Sequence, residues 1–148
     1  MIDKIKDLRK STGAGVMDIK KALDEVGGDV EKASELLRKQ GFDKAEKRSE
    51  RETEQGIIDA YVHLGRIGVL VEVNCETDFV ARNEDFKNFV HEVALQIAQS
   101  STQDVDGLLK EEYFRNPEQT INDLLRDIIV KTGENIRIKR FSRFILGG

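Results

Sequence analysis

Three side chains in this sequence suit nucleophilic or general-base chemistry near neutral pH: the single cysteine, Cys75, and the two histidines, His63 and His91. A thiol activated by an imidazole is a familiar nucleophile for acyl transfer. The spacing argues against it. Cys75 shares the parity of Val69, Val71 and Val73, which marks it as a small residue of a strand's buried face. His91 follows Val90 on a helical stripe and falls at the edge of its solvent side. One cysteine and two scattered histidines lack the close ligand spacing of a zinc site. Gly13-Ala14-Gly15 is followed by no Lys-Ser/Thr and sits in no strand–loop–helix unit, so it reads as an interhelical turn rather than a phosphate cradle. No catalytic residue, metal or cofactor is expected, and a thiol hydrolase built on Cys75 is the least favoured of the functions weighed.

One segment fits no such plain account: Glu76-Thr77-Asp78-Phe79-Val80-Ala81-Arg82. It connects a strand ending at Cys75 to a helix opening near Asn83, yet it carries two large apolar residues between charged neighbours. Pattern alone favours a staple, in which Phe79 or Val80 packs against the start of the next helix. The other reading is a presented aromatic anchor, the residue type that dominates protein interfaces.

The elements that must hold this segment follow from composition and periodicity. The chain has 148 residues, 39% hydrophobic and 35% charged, which suits one ordinary domain or two small ones. Its apolar runs are far shorter than the ~20 residues of a spanning helix. Met1 leads directly into charged residues with no apolar stretch, and a lone cysteine fits a reducing compartment. No membrane association and a cytoplasmic location are expected. The net charge of −4 argues against sequence-independent nucleic-acid binding. Arg137, Lys139, Arg140 and Arg143 make one basic strand, read as a solvated strand face.

Residues 1–41 read as three short helices. Ile2, Ile5 and Leu8 share a face of the first; Ile19, Leu23 and Val26 mark the second. Gly27-Gly28 stops that helix, and Asp29 caps the third, where Val30, Ala33, Leu36 and Leu37 face inward. Gly41 is expected to end it in a left-handed cap. Residues 42–55 are almost wholly polar and are predicted to be a charged helix or linker. Residues 56–148 form the second module. Two β-branched runs around Leu64-Gly65-Arg66 predict an antiparallel hairpin. Asn83 opens a long helix with the stripe Phe86, Phe89, Val90, Val93 and Ile97. After an indistinct stretch, a helix capped by Asn116 or Thr120 carries Ile121, Leu124, Leu125 and Ile128 and ends at Gly133. A last strand spans 135–146. Ile136 and Ile138 oppose the parity of Phe141 and Ile145, which predicts a bulge near Lys139-Arg140. The fold class is therefore α+β: a three-helix bundle, then a three-stranded antiparallel sheet packed with helices on one face.

Two long stretches resemble the elongation factor Ts family: Leu8-Arg9-Lys10-Ser11-Thr12-Gly13-Ala14-Gly15-Val16-Met17-Asp18 with Lys20-Lys21-Ala22-Leu23, and Val71 through Asn83 including Thr77-Asp78-Phe79-Val80. A weaker third is Gly133-Glu134-Asn135-Ile136. The resemblance spans nearly the whole chain. It implies a ubiquitin-associated-like N-terminal bundle and a non-enzymatic guanine-nucleotide exchange factor that binds GDP-bound elongation factor Tu. Asp78 and Phe79, flanked by Thr77 and Val80, would intrude beside that partner's magnesium and phosphate site. Arg9, Val16 and Met17 would supply N-terminal contacts, with Val16 standing where the family commonly has methionine. The core is shorter than in many members, which implies a homodimer, for which Ile136, Ile138, Phe141 and Ile145 are the expected apolar surface. The competing reading is a binding adaptor that acts through the N-terminal bundle alone.

Overall fold

The N-terminal helices form where the apolar spacing is helical and stop where glycine interrupts it. The computed structural model describes residues 2–148, and its first elements are α1 (Ile2–Thr12), α2 (Val16–Glu25) and α3 (Val30–Arg48). Leu8, Ile19, Ala22, Leu23, Ala33 and Leu37 bury together between them. The Asp29 side chain caps α3 by accepting from the Lys32 amide. Ile2, expected on the inner face, is 71% exposed, because α1 begins beyond the edge of this small core.

Gly41 does not end α3. The helix runs on through it to Arg48, and Gly41 is buried against the later helix α7 (Ile121–Thr132). A Cβ at Gly41 would lie 2.7 Å from Val130 Cγ2, so the residue serves close helix approach rather than a left-handed cap. The first half of the predicted linker, through Arg48, is thus helix. Its Ala45 joins the core of the second module, Phe42 lies under the Arg126 guanidinium, and Arg48 donates to the Ile129 carbonyl at 3.2 Å. Arg38 meets Asp127 at 3.6 Å.

The second module is built on β1 (Gln55–His63), β2 (Ile67–Cys75) and β5 (Arg137–Ile145), ordered β1-β2-β5 and antiparallel throughout. Leu64 and Gly65 both take positive φ in the tight turn between β1 and β2. Val69, Val71, Val73 and Cys75 face the core, as their shared parity requires. Glu72 pairs with Arg140 but Val73 with Ile138, so Lys139 is the extra residue of a bulge. Ile136 and Ile138 therefore bury in the core, and Phe141 packs against it from the same side. This corrects their expected part in dimer formation. The apolar side chains on the open face of the sheet are instead Ile58, Val62, Leu70 and Phe144.

Helices cover the other face. α5 (Glu84–Gln99) lays Phe86, Phe89, Val90, Val93 and Ile97 on the sheet. α6 (Val105–Lys110) and a small ribbon, β3 (Glu112–Tyr113) with β4 (Asn116–Thr120), fill the stretch the sequence left indistinct. The lone proline, Pro117, sits in this exposed ribbon. Thr120 caps α7 (Ile121–Thr132) in a reciprocal box with Asp123, and Gly133 closes it at φ 75°. Among the described residues no helix is long and apolar enough to cross a membrane.

Candidate functional site

The segment 76–82 folds as a single helical turn, α4 (Asp78–Ala81), set at the end of β2. Thr77 takes the N-cap position: its hydroxyl accepts from the Val80 amide at 3.3 Å, and its carbonyl accepts from the Ala81 amide. Asn83 then caps α5, its side-chain oxygen accepting from the amides of Asp85 and Phe86. Two caps in seven residues fix the direction in which the intervening side chains leave the backbone.

That direction separates the two readings of the segment. Val80 is 6% exposed and packs into the core with Ala81, so it is the staple. Phe79, one residue earlier, is 75% exposed. A helix turns about 100° per residue, so the arc that buries Val80 and Ala81 leaves Phe79 on the outer side of the turn. Asp78 stands beside Phe79 and pairs with Arg82 at 3.3 Å. Both partners are solvated, so the pair contributes little to stability. Thr77 is exposed but its hydroxyl is engaged within the turn. Of the four residues of the motif, then, Asp78 and Phe79 offer side chains outward, while Val80 and the Thr77 hydroxyl hold the turn in place.

Glu134, just beyond α7, accepts from the backbone amides of Glu76 and Thr77 and from the Thr77 hydroxyl. Spacing in the sequence gives no sign of this contact across 57 residues; the only signal was the short stretch Gly133–Ile136, with no role attached. Cys75 is fully buried at the foot of the turn, and its thiol donates to the Thr77 carbonyl at 3.1 Å. Burial, with the nearby Glu134 charge added, pushes that thiol up to about 11. Such a thiol is a core residue and no nucleophile at neutral pH. His91 bonds Asp59 and His63 bonds the Tyr61 hydroxyl, both at the exposed surface. No cluster of metal-ligating side chains occurs among the described residues.

The remaining candidate residues lie on the N-terminal bundle. Arg9 is exposed on α1, Val16 opens α2 at 37% exposure, and Met17 beside it is 65% exposed. Two of the four cations of the basic strand are engaged within the fold: Arg140 pairs with Glu72, and Arg143 donates to the carbonyls of Ile97 and Thr102.

The site is thus an outward-facing pair, Asp78 and Phe79, carried on a braced turn of an α+β scaffold. The family model described as Elongation factor TS matches residues 76–146. The chain is 42% identical to Elongation factor Ts of Desulfosudis oleivorans, over 97% of this chain and 96% of that one. It is 44% identical to Elongation factor Ts of Thermotoga petrophila, over 99% and 96%. Against the longer Elongation factor Ts of Synechococcus sp. the identity is 40%, covering 97% of this chain and 67% of the relative. The chain belongs to the elongation factor Ts family, and its role is that of a translation elongation factor. The alignment with the Desulfosudis protein runs over 189 positions against 148 residues here, so at least 41 of those positions have no counterpart in this chain.

Proposed function

We propose that this protein binds elongation factor Tu in its GDP-bound form and promotes release of GDP, with Phe79 and Asp78 inserted beside the nucleotide's magnesium and phosphate site. The observation that carries this reading is the 75% exposure of Phe79 on a turn whose other apolar residues, Val80 and Ala81, are buried. A phenylalanine this exposed contributes little to its own fold, whereas one buried at an interface is worth ~2 kcal/mol or more on truncation. The physical basis is reciprocal linkage. A wedge that displaces the groups gripping GDP lowers nucleotide affinity, and GDP lowers affinity for the wedge by the same factor. No covalent bond is made or broken, and no cofactor takes part. Arg9, Val16 and Met17 make a second contact with the same partner.

The test is release of a fluorescent GDP analogue from elongation factor Tu. Phe79→Ala is expected to slow stimulated release about tenfold or more, since ~1.4 kcal/mol corresponds to each tenfold, with an unchanged melting temperature. Unaltered release by this variant would rule out the wedge. The adaptor reading makes the bundle sufficient by itself. Because α3 runs through Gly41, a fragment that tests it has to extend to Arg48.

The open sheet face, with Ile58, Val62, Leu70 and Phe144 each more than half exposed, is the surface we assign to homodimer pairing. Sedimentation over a concentration series tests that assignment. The working location is the cytoplasm, where the partner GTPase acts.

A further inference from the structure

We propose that Glu134 is a positioning residue, and that with Glu76 it forms a reciprocal carboxylate clasp that sets the direction of Phe79; this rests on the wedge reading of Phe79 given above. Glu134 Oε1 accepts from the amides of Glu76 at 3.1 Å and Thr77 at 3.0 Å, while Oε2 accepts the Thr77 hydroxyl proton at 2.7 Å. In return, Glu76 Oε2 accepts from the Asn135 amide at 2.6 Å. Each carboxylate thus holds the backbone of the segment that carries the other. The two segments lie 58 residues apart in sequence.

The clasp determines the orientation of the Thr77 hydroxyl. A hydroxyl has one proton and two lone pairs. With its proton directed to Glu134, a lone pair faces the Val80 amide, and that bond is the cap of α4. A four-residue helix has almost no stability of its own, because nucleation costs more than one turn returns. The direction of Phe79 therefore depends on a cap, and the cap depends on Glu134. Hydrogen bonds to a charged acceptor are about twice as strong as neutral ones, which suits a carboxylate to this task.

The clasp is itself braced. Asn135 is 2% exposed, and its side-chain amide donates to the carbonyls of Ser49 at 3.3 Å and Arg51 at 2.7 Å, just past α3. Arg51 approaches Glu76 Oε2 at 3.6 Å. The same few residues tie the turn, the start of the last strand and the exit of α3 to one another.

The experiment uses the full chain carrying Glu134→Ala and, as the conservative change, Glu134→Gln. Amide hydrogen exchange is measured across 76–82, alongside release of a fluorescent GDP analogue from elongation factor Tu. Loss of a charged cap is expected to raise exchange at Val80 and Ala81 about tenfold or more in the alanine variant and less in the glutamine variant. The maximal rate of stimulated GDP release should fall by a comparable factor, while the protein concentration at half-maximal effect shifts less than about twofold, since the exposed N-terminal contacts are untouched. Placed on Phe79→Ala, Glu134→Ala should cost much less in release than it does alone, because both changes act through the outward side chains of one turn. A merely structural role would instead lower release in both backgrounds. Unchanged hydrogen exchange in Glu134→Ala overturns the clasp. Raised exchange with undiminished release, or additive losses in the double variant, overturns the positioning role. Should the unaltered protein fail to stimulate release, the wedge reading falls, while the exchange measurement still decides whether the clasp exists. If Glu134→Ala does not fold, Glu134→Gln is read against the same outcomes.

Discussion

The two halves of the molecule present exposed apolar side chains on very different foundations. The N-terminal bundle closes on six buried residues, all aliphatic and two of them alanine. The sheet module closes on twenty-one, including Phe86 and Phe89, and continues into a ring of partly buried aromatics and aliphatics. Met17 on α2 and Phe79 on α4 have similar exposure, 65% and 75%. The base under each differs. Met17 rests on a bundle whose third helix leans on α7, whereas Phe79 rises from a turn capped by Thr77, followed at once by the cap of α5 and clasped from below. A small core can display a contact surface, but holding one side chain to a fixed direction takes the larger one. This agrees with the general rule that small domains bury too little to be rigid alone.

The strongest way to break the comparison is to exchange the two phenylalanines' fates. Phe86 is wholly buried, so Phe86→Ala is expected to cost about 3–5 kcal/mol and to lower the melting temperature of the sheet module. Phe79→Ala should leave stability within about 0.5 kcal/mol, since three-quarters of the residue already faces solvent. Equal losses, measured by denaturant unfolding, would show that Phe79 is a core residue in solution. Next in size is the docking of α3 on α7. Gly41→Val would place a Cβ 2.7 Å from Val130 Cγ2, on a branched side chain with little freedom to move. Overpacking of this kind costs about 1–3 kcal/mol. The loss should appear as a separate early unfolding step of residues 2–48 by hydrogen exchange, with the sheet module unaffected. A single cooperative transition would mean that the two halves are one folding unit. The smallest effect on folding belongs to the outer sheet face. Phe144→Asp, at a side chain 78% exposed, should change stability by less than about 0.5 kcal/mol yet abolish concentration-dependent pairing in sedimentation.

Much of this was legible in the residues. The sheet parity of Val69, Val71 and Val73, the α5 stripe, the caps at Asp29 and Asn83, and the bulge at Lys139-Arg140 all follow from local periodicity and local hydrogen bonding. What was hidden depended on partners distant in sequence. Gly41 looks like a helix terminator until Val130 is known to sit against it. The polar run after Phe42 shows no apolar stripe, yet Ala45 and Phe42 find partners on the second module and keep the helix going. The short ribbon around Pro117 has too few residues for any period to declare itself. In the site, the pattern could name Phe79 and Val80 as odd but could not assign which of them points outward, because a one-turn helix leaves no repeat. Glu134 carried no signal of its own, since a carboxylate that caps backbone amides imposes no requirement on the sequence it grips.

The extra residue in β5 acts as a frame change within a single strand. Upstream of Lys139, even-numbered residues point into the protein; downstream, odd-numbered ones do. Regular pairing of β5 with no bulge, Lys139 taking a place in the ladder, would rotate the whole remainder by one position. Phe141 and Arg143 would turn out to water, Arg140 and Phe144 would be driven toward the hydrophobic interior, and the guanidinium that holds the Ile97 and Thr102 carbonyls would leave them bare. The bulge at Lys139 thus keeps the greasy exterior of the sheet and its sealed interior from trading places.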